Sequence, residues 1–135
     1  KEHILKKTRL YMNQTYPSIE KLKSKKLLDE LFSSGKKINA YPIKLVYKQL
    51  DFEDDTLIKT GVSVPKRNFK KAVDRNRIKR ILREAYRLNK HIIHDGLDKK
   101  YVCMFLYLGK EMPTFEELQS KTEHLLAKFL EKEAS

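Results

Sequence analysis

The sequence holds one cysteine, Cys103, and no tryptophan among its 135 residues. A single thiol excludes an internal disulfide and a Cys-rich zinc site. Cys103 sits in the most apolar stretch of the chain, where a buried, inert thiol is expected rather than a nucleophile. Glycine and proline are scarce, at four each, and there is no low-complexity tract or internal repeat. No apolar run approaches the roughly 20 residues of a membrane-spanning helix, and no signal-peptide pattern opens the chain. A cytoplasmic location and no membrane partner are the expectation. Acids are also in short supply: 18 Asp and Glu stand against 30 Lys and Arg, a formal charge of +12.

What is present is enough apolar material, 40% of residues, to close one modest core, so the charge rides on a folded body. That charge is concentrated. Residues 66–90 hold eleven Lys or Arg and only Asp74 and Glu84 as acids, which is +9 from 25 residues. A charge serving solubility alone would be spread more evenly, and a field of this sign attracts polyanions.

Residues 1–23 carry Lys6, Lys7 and Arg9 without sustained periodicity and read as a basic, partly mobile segment. Residues 24–135 read as a single domain. Ser24 is placed to cap a short helix with the stripe Leu27, Leu28, Leu31 and Phe32, and Gly35 is its expected stop. Residues 43–50 alternate Ile43, Leu45 and Tyr47 against Lys44, Val46 and Lys48, a strand with one wetter face. Residues 57–64 alternate in the same way, and the acidic run 51–55 between the two reads as a solvated hairpin loop. Tyr101–Leu108 is continuously apolar, as a strand covered on both faces requires. Thr114 and Glu117 form a capping box ahead of a last helix with the stripe Leu118, Thr122, Leu125, Leu126, Phe129 and Leu130. These elements predict an α+β domain with a sheet of about four strands.

Residues 72–90 have helical periodicity and carry the functional argument. At 100° per residue, Ile78, Ile81, Leu82, Ala85, Tyr86 and Leu88 fall in a sector of about 160° that must face the sheet. Asn76, Lys79, Arg80, Arg83 and Arg87 fall in the opposite sector of about 100°, with Arg75 and Arg77 flanking the helix start. The charged face of an amphipathic helix is ordinarily solvated and mixes signs, because acid–base pairs one turn apart stabilise and like charges repel. Here Asn76, Arg80, Arg83 and Arg87 form a row with no acid in it. Polyanion binding explains such a row better than solvation does. Arginine suits bidentate phosphate contacts, and Asn76 suits a base edge, a ribose hydroxyl or a phosphate oxygen. Lys66, Arg67, Lys70 and Lys71 feed the helix start, where free amides also favour a phosphate.

The run Val62-Ser63-Val64-Pro65-Lys66-Arg67, followed by Arg75-Asn76-Arg77 and the basic helix to Arg87, resembles the protein component of bacterial ribonuclease P. The likeness extends in order from Lys21-Leu22-Lys23-Ser24 through Gly35 and the strand at 101–108 to the last helix, covering about residues 16–130. It implies a fold of helix, three strands, helix, strand, helix, similar to the second domain of a small-subunit ribosomal protein. It also implies the role of a protein subunit in the endonuclease that removes the 5′ leader of precursor tRNA to form the mature end. The partners so implied are a catalytic RNA subunit, bound 1:1 by a monomer, and precursor tRNA. Catalysis and Mg²⁺ are expected with the RNA, and no catalytic residue, metal ligand or cofactor is assigned to this chain. A leader-binding cleft between the first helix and the sheet is implied at Leu28 and Phe32, with Lys44, Tyr47 and Lys48 of the strand. The family often has aromatics at both helix positions; this sequence keeps Phe32 and has leucine at position 28.

Other clusters point less sharply. His91 and His94, with Asp95 and Asp98 after them, make an incomplete ligand set and fit a helix C-terminus better. The acidic run 51–55 lacks the spacing and turn glycine of a calcium loop. Two rival readings stay open: an architectural RNA-binding module with no enzyme partnership, and a peripheral membrane protein turning Ile78, Ile81 and Leu82 towards lipid.

Overall fold

The computed structural model describes residues 16–94 and 96–133. Lys6, Lys7, Arg9 and Asp95 therefore lie outside the described residues. A 3₁₀ turn at Ser18–Glu20 is followed by α1 (Lys25–Ser34), β1 (Lys36–Ala40), β2 (Ile43–Gln49), β3 (Ile58–Ser63), α2 (Ala72–Asn89), the four-residue α3 (His91–His94), β4 (Tyr101–Tyr107) and α4 (Phe115–Glu133). The strands form one sheet in the order β1-β2-β4-β3. The expected α+β class and four strands hold; α3 is a short helix beyond the three expected.

Strand β4 runs between β2 and β3, antiparallel to the first and parallel to the second. The acidic segment 51–55 is therefore not a hairpin loop. It carries the chain past the end of β4 from one side to the other. Lysines tie it down: Lys100 Nζ donates to the carbonyl of Phe52 at 2.7 Å, and Lys59 Nζ lies 2.7 Å from the Asp54 carboxylate. Bonds from Lys59 and the Thr56 amide hold the Asp54 carboxyl down to about 2.

The two faces of the sheet carry different layers. On one, Ile38, Ile43, Leu45, Tyr47, Tyr101, Cys103 and Phe105 pack against Ile78, Leu82 and Tyr86 of α2 and the predicted stripe of α4. On the other, Val46, Val102 and Met104 pack beneath Leu31 of α1 and Leu22. Cys103 is buried, and burial pushes its thiol well above the usual range, as an inert core residue requires. The Ser24 hydroxyl accepts from the amide of Leu27 at 3.3 Å, and Thr114 Oγ1 from the amide of Glu117 at 3.2 Å, so both predicted caps form. Gly35 ends α1 for a reason other than left-handed backbone. Its φ is −71°, and a Cβ there would lie 2.9 Å from the Val46 side chain. The glycine lets β1 leave α1 against the sheet.

The β3 edge is closed by the segment before α1. The Leu22 amide donates to the Thr60 carbonyl at 2.7 Å, and Tyr16 packs edge-on against Tyr86 with its hydroxyl on Thr60. Lys90, which caps α2, is 1% exposed and reaches Glu20 at 2.8 Å. It belongs to the interior rather than to the basic surface. Breaking so buried a pair costs several kcal/mol, which ties α2 to the chain that leads into α1.

Glu133 closes the other end. It accepts from Tyr47 at 3.2 Å and Tyr101 at 3.1 Å. Burial first, then this carboxylate, pushes both tyrosines up to about 12. An acid raised above its unfolded value, near 10, stabilises the fold fully below that value and loses the contribution as pH climbs through the folded one. The unfolded Cys103 thiol ionises first, so the urea midpoint should begin to fall near about pH 8.5, and the two tyrosines should steepen the fall between about 10 and 12. The Tyr47→Phe/Tyr101→Phe double variant, measured alongside, should show a shallower fall than the wild type.

Candidate nucleic-acid interface

Helix α2 presents its basic row because its apolar face is fully engaged. Ile78, Leu82, Ala85 and Tyr86 are buried, with Ile81 and Leu88 half-buried at the margins. Ile78 and Leu82 are buried against the sheet, so this face of α2 is not turned towards lipid. No helix among the described residues is long and apolar enough to cross a membrane.

Asn76, Arg77, Arg80 and Arg83 are exposed, and Lys79 is half-buried. Among the described residues no carboxylate lies within ion-pair distance of Arg77, Arg80 or Arg83. The row is less uniform than its sequence suggests. Arg87 donates from Nε to Glu84 at 3.0 Å, and this pairing holds the Glu84 carboxyl below its usual range. Arg87 thus has an internal counter-charge, and the acid-free stretch is Asn76 to Arg83. Arg75 is half-buried and works inward: its Nη1 donates to the carbonyls of Phe69 at 2.8 Å and Lys70 at 2.9 Å. It braces the loop that carries Lys66, Arg67, Lys70 and Lys71, all four exposed. Lys71 occupies the N-cap without a side-chain bond, so the first amides of α2 open onto that basic loop. The basic loop leads into the start of α2, where Asp74 is the one acid before the row begins at Asn76.

The second surface lies on the α1 face of the sheet. Leu28 is half-buried and Phe32 is 54% exposed, one turn apart on α1. Lys44 and Lys48 are half-buried on the same face of β2, and Lys48 Nζ reaches Ser34 Oγ at 2.5 Å. Tyr47 does not join them. It is buried on the opposite face, its ring 4.7 Å from that of Phe129. Side chains alternate along a strand, so Tyr47 cannot share a face with Lys44 and Lys48. Val46 holds the α1-facing position, under Leu31.

Register supplies residues that sequence reading missed. Asn39, Lys44, Leu106 and Ser63 are laterally paired across all four strands. All four retain solvent access, whereas Val46 and Met104 in the next row are buried beneath α1. This row lies on the α1 face of the sheet and ends two residues before Pro65-Lys66-Arg67. The signal was the alternation of Lys37 and Asn39 about Ile38, visible only once β1 is known to be a strand.

The remaining titratable clusters do not converge. Among the described residues no three His, Cys, Asp or Glu side chains are grouped as metal ligands. His91 and His94 bracket the single turn of α3, after α2 has ended at Asn89.

A family model described as Ribonuclease P matches residues 16–130. The ribonuclease P protein component of Porphyromonas gingivalis is 35% identical over 103 residues, 74% of this chain and 75% of that protein. The corresponding component of Chlorobaculum tepidum is 30% identical over 126 residues, covering 84% and 82%. In three dimensions the ribonuclease P protein of Thermotoga maritima superposes with a TM-score of 0.65 at 22% identity, over 81% of this chain and 96% of that one. That of Staphylococcus aureus gives 0.63 at 22% identity. The structural likeness speaks for the fold. The family match spans Tyr16 through the basic loop and α2 to Leu130, so both surfaces lie inside it, and the chain belongs to the ribonuclease P protein family.

Proposed function

We propose that this chain is the protein subunit of a cytoplasmic ribonuclease P, one copy per RNA subunit, which promotes removal of the 5′ leader from precursor tRNA. The observation that carries the reading is the acid-free stretch Asn76–Arg83 on a helix whose other face is buried. Like charges held one turn apart repel, by a few tenths of a kcal/mol per pair, and an RNA backbone relieves that repulsion. The basic loop and the open first amides of α2 continue the same phosphate path. Arg75 acts here chiefly as the brace that holds the loop in place.

In this reading the RNA subunit supplies catalysis and binds the Mg²⁺ ions, which activate water and stabilise the leaving oxygen. The protein supplies positive charge where two polyanions must meet. It should therefore cleave nothing alone and should stimulate RNA-catalysed cleavage most when Mg²⁺ is scarce. Reconstitution with a cognate RNA subunit and precursor tRNA across a Mg²⁺ series tests this; equal rates with and without protein at low Mg²⁺ would refute it.

Arg80→Ala and Arg83→Ala should each weaken RNA-subunit binding with the fold intact, since both side chains leave the protein. If each contacts one phosphate, the slope of log K against log salt should drop by about 0.7–0.9 per substitution. An unchanged slope in both would return the row to plain solvent.

The cleft beside α1 is proposed to hold the single-stranded leader, with Phe32 stacking on a base and Lys44 meeting phosphate. Stacking on one base is worth about 1–3 kcal/mol. Phe32→Leu should thus lower precursor tRNA affinity about fivefold to a hundredfold, leaving mature tRNA unaffected. Because the ring is exposed, the thermal midpoint should not move. A lowered midpoint with an unchanged ratio of precursor to mature affinity would place Phe32 in the core instead.

A further inference from the structure

The β1–β2 turn ends on Tyr41-Pro42, and Tyr41 is 69% exposed, the most exposed aromatic among the described residues. Met112, in the loop from β4 to α4, is exposed as well. Between them is a depression of about 240 Å³, walled by Tyr41, Met112, Lys110 and Glu117, with Tyr107 and Gly109 beneath. Two solvent-facing apolar side chains around one hollow are not explained by the core, which is complete without them.

The hollow has a built floor. The Tyr107 hydroxyl donates to the Glu111 carbonyl at 2.6 Å, so its polar tip is satisfied. Gly109 lies against that ring so closely that a Cβ there would stand 2.6 Å from Tyr107 Cζ. The other side of Tyr107 faces Phe69, with ring centroids 6.0 Å apart. Phe69 belongs to the basic loop that Arg75 braces. The hollow is therefore one ring away from the phosphate path already described, on the side of the sheet opposite the α1 cleft.

We infer that this hollow receives one unstacked nucleobase of the RNA subunit, an inference that rests on the function proposed above. A base would stack on Tyr41 and the Met112 thioether, the pairing of π-face and soft sulfur that single bases accept irrespective of sequence. Lys110 supplies a cation for that nucleotide's phosphate. Glu111 and Glu117 repel a bare phosphate from the hollow, and a carboxylate there accepts from an exocyclic amino group. The space holds one ring system, not a helix or strand of a protein partner.

The experiment measures binding of the full chain to the RNA subunit over a salt series, for wild type, Tyr41→Ala and Tyr41→Phe. Tyr41→Ala should weaken binding about fivefold to a hundredfold, and Tyr41→Phe should keep wild-type affinity. The salt slope should stay constant through all three, since the ring carries no charge. Equal affinities for Tyr41→Ala and wild type would overturn the inference, as would a loss accompanied by a shallower slope. A loss confined to precursor tRNA bound by the assembled ribonucleoprotein, with RNA-subunit affinity unchanged, would overturn the assignment to the RNA subunit. If the wild-type chain itself fails to bind the RNA subunit, the proposed function falls and takes this inference with it. Tyr41→Ala failing alone leaves that function standing.

Discussion

Strand β4 must be buried on both faces, and most of the architecture follows from meeting that demand. Tyr101, Cys103 and Phe105 face α2 and α4, while Val102 and Met104 face α1. A strand so apolar cannot lie at an edge, so β2 and β3 flank it even though β3 precedes it in the chain by a whole helix. The parallel pairing of β3 with β4 obliges the connecting chain to cross over the sheet, and that crossover is α2. Placing the helix there commits one face to the core and turns the other outward. The export of Asn76, Arg80 and Arg83 is a by-product of covering β4.

Electrostatics divides the surface by function rather than by net charge. Acids are spent where they hold the fold: Glu20 on Lys90, Glu133 on Tyr47 and Tyr101, Asp54 on Lys59. The helix stretch that faces outward receives none until Glu84 meets Arg87. Removing counter-charge from one region while supplying it in the core leaves a localised field, which captures a polyanion better than the same charge distributed evenly.

Much of this was legible in the sequence, for physical reasons that also set the limits. Helix α2 was legible because eighteen residues give the 3.6-residue period room to repeat, and the end caps at Ser24 and Thr114 because capping is local chemistry. Strand order was not, because pairing joins residues far apart in sequence; the acidic segment 51–55 looks like a hairpin loop unless β4 is known to intervene. Strand β1 follows Gly35 with only five residues, too short for alternation to stand out. The placement of Tyr47 with Lys44 and Lys48 set family likeness above the strand's own period, which already separated odd from even positions. Lys90 counted as surface charge by composition, and only the distant Glu20 reveals it as interior.

The two edges of the sheet have different fates. The outer side of β3 is occupied by the chain at Lys21 and Leu22, whose amide fills the Thr60 carbonyl. Among the described residues no strand lies on the outer side of β1, and an open ladder of amides and carbonyls invites another chain to pair with it. Lys36, Lys37 and Asn39 stand exposed along that edge. Lys36 is paired with Glu133 of α4, so two copies meeting there edge to edge would bring the Lys37 ammonium of each copy together with no carboxylate in the strand to separate them. Like charge at this position disfavours pairing of the edge with a second copy, so the basic composition of the chain also bears on how its sheet is closed.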